Sequence, residues 1–224
     1  MTPRERATAT LSHTRPDQVP KDAWFTPHIL EEFRKHTGAN DPAEYYGFEH
    51  RMVTFAPTKV EYDFSGYLPD DLPPDATVNE WGEARVPGGF HHFSRYVQPL
   101  ASLKTIDELV AYPWPDVAAD YRHDHLEEAV RRLHDRDLFV IGSTGHMGWE
   151  KACYMRGILN VCEDLASNQN FATHLLDRLC EVFCFMSRRF AEAGVDMLWL
   201  SEDIGMQDRL MISPRMYREW IKPR

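Results

Sequence analysis

Basic charge is in short supply: 25 lysines and arginines face 35 aspartates and glutamates among 224 residues, a formal charge of -10. A field of that sign repels nucleic-acid phosphates and anionic lipid surfaces, so neither is an expected partner. Long apolar runs are missing as well. The longest, at 138–141 and 197–200, fall far short of the ~20 residues that span a bilayer, and no membrane segment is expected. The N-terminus is charged from Arg4 onward and has no apolar core followed by a small-residue cleavage site, which leaves the cytoplasm as the expected location. Cysteine is sparse and forms no CxxC pair, which argues against a disulfide scaffold or a zinc ribbon. Cys180 and Cys184 lie four apart on an expected helix, so both thiols face one way. Core packing is favoured over a metal pair there, because cysteine is among the most buried small side chains. Neither GK[ST] nor GxGxxG occurs, which removes the P-loop and the dinucleotide fingerprint, and there is no internal repeat or low-complexity tract.

What is present suits a globular chain, with 43% hydrophobic and 27% charged residues. Thr2-Pro3-Arg4-Glu5 has the capping-box pattern and opens a short helix that ends before Pro16. A second helix is expected over 24–36, stopped by Gly38 and Asn40. From 45 to 115 prolines recur throughout, so only short strands at 52–55 and 60–64 are expected. After Asp116 the pattern becomes regular. Leu126, Ala129, Val130 and Leu133 give one apolar face to a helix over 121–134, followed by a strand at 138–141 that Gly142 ends. A helix at 149–155 is interrupted by Gly157. Phe171, Leu175, Leu179, Val182, Met186 and Phe190 mark a long helix over 171–193 that Gly194 stops. The run 195–200 is apolar on both sides apart from Asp196, as in a parallel strand covered on both faces. Ser213-Pro214 opens another helix. Helix alternating with strand is the rhythm of a parallel α/β fold.

In parallel α/β barrels the chemistry sits at the carboxyl ends of the strands. Two such loops are readable. The first, Gly142-Ser143-Thr144-Gly145-His146-Met147-Gly148-Trp149-Glu150, lets the backbone approach a ligand closely while His146 and Glu150 offer groups that transfer protons; a plain strand-to-helix turn reads equally well. The second, from Ser201 to Asp208, places the adjacent carboxylates Glu202 and Asp203 directly after an apolar strand. Carboxylates near a core are costly unless paired, hydrogen-bonded or solvated, so function is favoured there over a solvated turn. His123-Asp124-His125 does not read as a metal site, since residues two apart on a helix point to different faces, and a surface position is expected. Arg131-Arg132 and Arg188-Arg189 read as solvated helix faces.

Pro3-Arg4-Glu5-Arg6, Arg15-Pro16-Asp17-Gln18-Val19-Pro20, Trp81-Gly82 and Tyr112-Pro113-Trp114-Pro115-Asp116 resemble the N-terminal part of uroporphyrinogen decarboxylase-like proteins. The likeness continues through Ile141-Gly142, Gly148-Trp149-Glu150, Tyr154-Met155-Arg156-Gly157 and Val195-Asp196. It is most distinctive in Glu202-Asp203-Ile204-Gly205-Met206-Gln207 and Ile212-Ser213-Pro214-Arg215-Met216-Tyr217-Arg218-Glu219. The resemblance implies a partial TIM (β/α)8 barrel, truncated before closure, with residues 1–115 packing on it as an irregular N-terminal segment and 116–224 forming the first clear β/α units. On that reading the isolated chain self-associates or folds poorly, because a strand such as 197–200 keeps an open edge.

The resemblance also implies a cleft that takes a tetrapyrrole or a methylated corrinoid. Glu202 and Asp203 are the catalytic candidates, with Glu49, His146, Trp149, Glu150, Tyr154 and Gln207 as substrate-binding residues and no metal ligand within the chain. Decarboxylases of the family carry an arginine-rich loop near the N-terminus; the region around 19–27 has none. Their barrel-loop tyrosine falls at Cys153, one residue from Tyr154, and their later serine falls at Glu202. The methyltransferase branch holds zinc through an HxC motif and a later cysteine; no HxC occurs here, and the family places it further along. Three functions stay open: corrinoid-linked methyl transfer or related C1 chemistry, with zinc and a corrinoid in the longer parent and a homodimer or corrinoid protein as partner; cofactor-free decarboxylation of a porphyrinogen acetate; and a catalytically inert binder.

Overall fold

The computed structural model describes residues 1–88, 93–146 and 148–224. Three helices come first: α1 (Pro3–Leu11), α2 (Pro27–Thr37) and α3 (Pro42–Tyr46). Each has proline in its first turn and a side-chain cap, from Thr2, Thr26 and Asp41. At α1 both halves of the capping box form, Thr2 Oγ1 accepting from the Glu5 N–H and Glu5 accepting from the Thr2 N–H. Strand β1 (His50–Val53) follows, then β2 (Thr77–Val78), β3 (Ala84–Pro87) and β4 (Ser94–Val97). Helix α4 (Ile106–Val110), a 3-10 turn at Asp120–Arg122 and α5 (Leu126–His134) lead to β5 (Phe139–His146). Next come α6 (Gly148–Arg156), α7 (Ile158–Ser167), α8 (Gln169–Ala193) and β6 (Met197–Ser201). The chain closes with α9 (Pro214–Met216) and a π-type turn at Tyr217–Ile221.

Two sheets result. β1, β5 and β6 pair in parallel in the order β1-β5-β6, and β2, β3 and β4 form an antiparallel sheet. The described strands close no barrel. Helix α8 backs the parallel sheet: Phe190, Val140, Val53, Leu126 and Val130 are buried in one cluster. A larger cluster joins Trp149, Phe171, Leu175 and Leu179 to Phe64, Trp81, Leu100 and Tyr112 from the proline-rich stretch. That stretch supplies both a strand of the parallel sheet and six of the twenty buried residues of the larger cluster.

The long helix and the capped helices match their sequence patterns, whereas the strand expected over 195–200 begins at Met197 and leaves Leu198 and Leu200 exposed, so it is not covered on both faces. Several expectations are corrected. The strand placed at 138–141 runs on to His146, because Gly142 does not end it. A Cβ on Gly142 would sit 2.6 Å from Phe190 Cγ, so the glycine lets α8 approach the sheet. Residues 60–64 are not a strand; Tyr62 and Phe64 turn instead to Asp116 and the core. Helix α7 was missed although Val161 and Leu165 bury with helical spacing beyond Gly157. The His123 ring, expected at the surface, is buried between Phe55 and Phe185 and accepts a hydrogen bond from Arg189 Nε at 3.1 Å. It precedes α5 rather than lying on it, so the helical-face argument did not apply.

Candidate functional site

Strand β5 outruns β1: Val53 pairs with Gly142, and the segment from Ser143 onward extends beyond it toward His146, opposite Ser201 at the end of β6. That overhang brings the first residues after two strands together. Glu202, immediately after β6, turns its carboxylate onto the start of α6, where Oε2 accepts the Glu150 N–H at 3.0 Å and the Trp149 N–H also contributes. The unpaired N–H groups of a helix start favour such a group. Gly148 makes room for it. Its φ is +64, and a Cβ there would lie 2.2 Å from Glu202 Oε1.

Glu202 is exposed as a residue, yet its carboxyl is turned inward. Burial pushes that carboxyl up to about 7, the charge of Glu150 adding to the shift while the helix N–H groups and His146 oppose it. A carboxyl there exchanges protons at neutral pH. Beside it, Glu150 bridges two partners: Oε2 lies 2.8 Å from His146 Nδ1, and Oε1 accepts from the Tyr154 hydroxyl at 2.8 Å. Ser201 Oγ is 3.1 Å from the same His146 Nδ1. Glu150 is buried whereas His146 is half-exposed. Burial raises the Tyr154 phenol above its ordinary range, and the charges of Glu150 and Asp203 reinforce this. The Tyr96 ring of β4 meets that of Tyr154 at a tilt, with centroids 4.6 Å apart.

Of the sequence candidates, His146, Glu150, Tyr154 and Glu202 converge. Asp203 is exposed beside them. Gln207 is exposed in the turn where Gly205 bridges Leu210, and no described contact ties it to the cluster. Trp149 joins through its backbone, its ring being buried in the core. Glu49 lies at the other end of the sheet, just before β1, where Oε1 accepts from Arg6 Nη1 at 3.0 Å and Oε2 from the Lys21 N–H at 2.6 Å. Ser201 and Tyr96 were not singled out. Position at a strand end marks Ser201, whereas nothing local marks Tyr96, which arrives through the small sheet. Met147 lies outside the described residues.

Two cavities border the cluster. One of about 300 Å³ touches Gly148, Ser201, Glu202, Cys180 and Tyr217. A second, of about 600 Å³, lies over the ends of β1 and β5 and includes Phe55, Trp81, Ser143, Thr144, His146 and Lys151. The cations nearest this second space are occupied: Lys151 Nζ reaches Glu83 at 2.9 Å, and Arg122 pairs with Glu80 at 2.8 Å and Asp116 at 3.0 Å.

A family model for uroporphyrinogen decarboxylase (URO-D) matches residues 93–224, more than half of the chain. The chain belongs to the URO-D family. Its fold is similar to that of a methyltransferase from Methanosarcina mazei, with a TM-score of 0.55 and 16% identity, over 100% of this chain and 65% of that one. At that identity the likeness is one of fold, and the chain spans less than two-thirds of the neighbour's length. No curated protein sequence matches. Family and neighbour together give a TIM-barrel-type fold, whose chemistry sits at the strand ends where the URO-D-family chain gathers His146, Glu150, Tyr154 and Glu202. Among the described residues no helix is long and apolar enough to cross a membrane.

Proposed function

We propose that this URO-D-family chain serves a methyl-transfer reaction, in which a methyl group carried by a corrinoid passes to an acceptor held over the strand ends. The charge of the rim carries the reading. His146, Glu150, Tyr154 and Glu202 have no lysine or arginine among their described hydrogen-bond partners, and the nearby Lys151, Arg122 and Arg224 are already matched by carboxylates, which leaves Lys222 beside the smaller cavity as the cation at this rim without a described acidic partner. A porphyrinogen with anionic acetate arms would meet carboxylates here rather than free guanidinium groups. A methyl acceptor instead loses a proton as its bond to carbon forms, and this rim is rich in groups that accept one. The methyltransferase of similar fold agrees with this reading.

The corrinoid is a substrate in this scheme, arriving free or on a partner protein; a second copy of the chain is the other partner in view. The zinc that the family's methyltransferase branch uses belongs to the longer parent in this reading, since the family places its HxC ligands further along. No three described His, Cys, Asp or Glu side chains are grouped to hold a metal, and the Cys180 thiol, raised first by burial, donates to the Arg224 carbonyl at 3.1 Å. No step proposed for these residues runs through it.

One observation favours the second reading, porphyrinogen decarboxylation: a Glu202 carboxyl at about 7 holds a proton that a pyrrole carbon needs as carbon dioxide leaves. The protein incubated with methylcobalamin and a phenol or thiol is expected to demethylate the corrinoid, followed by its visible absorbance. Carbon dioxide released from uroporphyrinogen, with the corrinoid untouched, would reverse the order. Binding without turnover of either would favour the inert binder.

A further inference from the structure

The fold treats the two ring nitrogens of His146 differently. Both of its polar contacts fall on Nδ1, from Glu150 Oε2 at 2.8 Å and Ser201 Oγ at 3.1 Å, and Nε2 has no partner among the described residues. A carboxylate on Nδ1 selects the tautomer with the proton there and leaves Nε2 with its lone pair. Glu150 is itself steadied on its other oxygen by the Tyr154 hydroxyl, and the Tyr154 and His146 rings meet edge-on at 5.8 Å. The imidazole is thus oriented from behind, while its side chain remains half-exposed and borders the 600 Å³ cavity.

That cavity has a definite chemistry. Phe55 and Trp81 supply aromatic walls, Met186 and Val117 apolar ones, and Ser143 and Thr144 bring hydroxyls from the same strand as His146. Arg122 and Lys151 reach it already neutralised by Glu80, Asp116 and Glu83, so it offers no unmatched cation for an anionic substrate. Its volume suits a molecule of one or two rings.

We propose that the methyl acceptor is a neutral phenol-type molecule seated in this cavity, and that His146 Nε2 is the catalytic base that removes its O–H proton. Glu150 and Tyr154 are positioning residues that act through Nδ1. The proposal rests on the methyl-transfer reading and names the acceptor and base within it. In the step, the phenol O–H bond breaks and its proton joins Nε2, giving an imidazolium beside the Glu150 carboxylate. The phenolate oxygen then forms a bond to the methyl carbon, and the cobalt–carbon bond breaks with its electron pair remaining on cobalt. No further reactant is required.

4-Nitrophenol, which colours on ionisation, tests the base without any methyl transfer. Below the free phenol's own pKa, the protein is expected to convert bound 4-nitrophenol to the phenolate spectrum. His146→Gln should still bind it but leave it un-ionised, and should lower kcat/KM for phenol methylation by about 10²- to 10⁴-fold, partly restored by added imidazole. Failure to bind the phenol, un-ionised binding to the unaltered protein, or equal ionisation by His146→Gln would each overturn the proposal. Ionisation that depends on His146, in a protein that transfers no methyl group, would sink the functional reading and leave the base standing.

Discussion

The two ends of the parallel sheet treat their carboxylates in opposite ways. At the amino end Glu49 is matched by Arg6, and Asp196 accepts from Arg4 at 2.6 Å, from the Val140 N–H at 2.8 Å and lies 3.0 Å from His134. Burial alone would raise Asp196, but the Val140 N–H, Arg4 and His134 together hold it below the ordinary carboxylate range. At the carboxyl end Glu150 and Glu202 are neighbours, satisfied by N–H groups, a phenol and an imidazole, and Glu202 is driven upward. One end fixes its charges and the other keeps protons exchangeable. That division matches the way barrel folds separate stability from chemistry.

The largest test of the contrast is at the amino end. Glu49→Ala leaves a nearly buried Arg6 with Asp17 as its remaining acid and should cost about 3 kcal/mol in urea unfolding, with turnover of the folded protein unchanged. Lost turnover at full stability would place function at the wrong end. Glu150→Gln is expected to do the reverse: activity falls by about 10- to 100-fold because His146 loses its orienting charge, while the melting temperature does not drop. A large fall in Tm would make Glu150 a structural residue instead.

Glu202→Gln sharpens the comparison through pH. The folded protein holds the Glu202 proton up to about 7 against an ordinary value of 4.5, so it binds that proton more tightly than the unfolded chain. Stability from this group is therefore full below 4.5 and is lost as pH rises to about 7. The glutamine variant should lack that decline in a Tm series across pH, and parallel curves for the two proteins would remove the buried carboxyl from the account. Tyr154→Phe should have the smallest effect, a loss of up to about tenfold in kcat/KM, in keeping with one hydrogen bond of ~1 kcal/mol. An effect equal to that of Glu150→Gln would mean that the phenol touches substrate.

Much of the fold was legible because its signals are local. The Thr2–Glu5 capping box, the Ser213-Pro214 start and the apolar spacing of α8 are contacts within one or two helical turns, readable from neighbouring letters. Gly142 of β5 misled, since the sequence shows a flexible residue where the structure shows a close approach to Phe190. The small antiparallel sheet was invisible: two- to four-residue strands carry too little alternation to rise above proline-rich background. At the site, position after a strand pointed to His146, Glu150 and Glu202. Glu49, named through the family resemblance, lies at the other end of the sheet, and its neighbouring letters do not reveal that placement.

By itself the sequence determined the alternation of helix and strand, the family, and the presence of proton-exchanging residues after the strands, because each depends on patterns of nearby residues. Only the tertiary structure decided which of them meet. Glu202 reaches the Glu150 N–H across 52 positions and Ser201 reaches His146 across 55. The burial that lifts Glu202, and the contacts that occupy Nδ1 of His146 while leaving Nε2 open, arise where segments distant in the chain exclude water from one another.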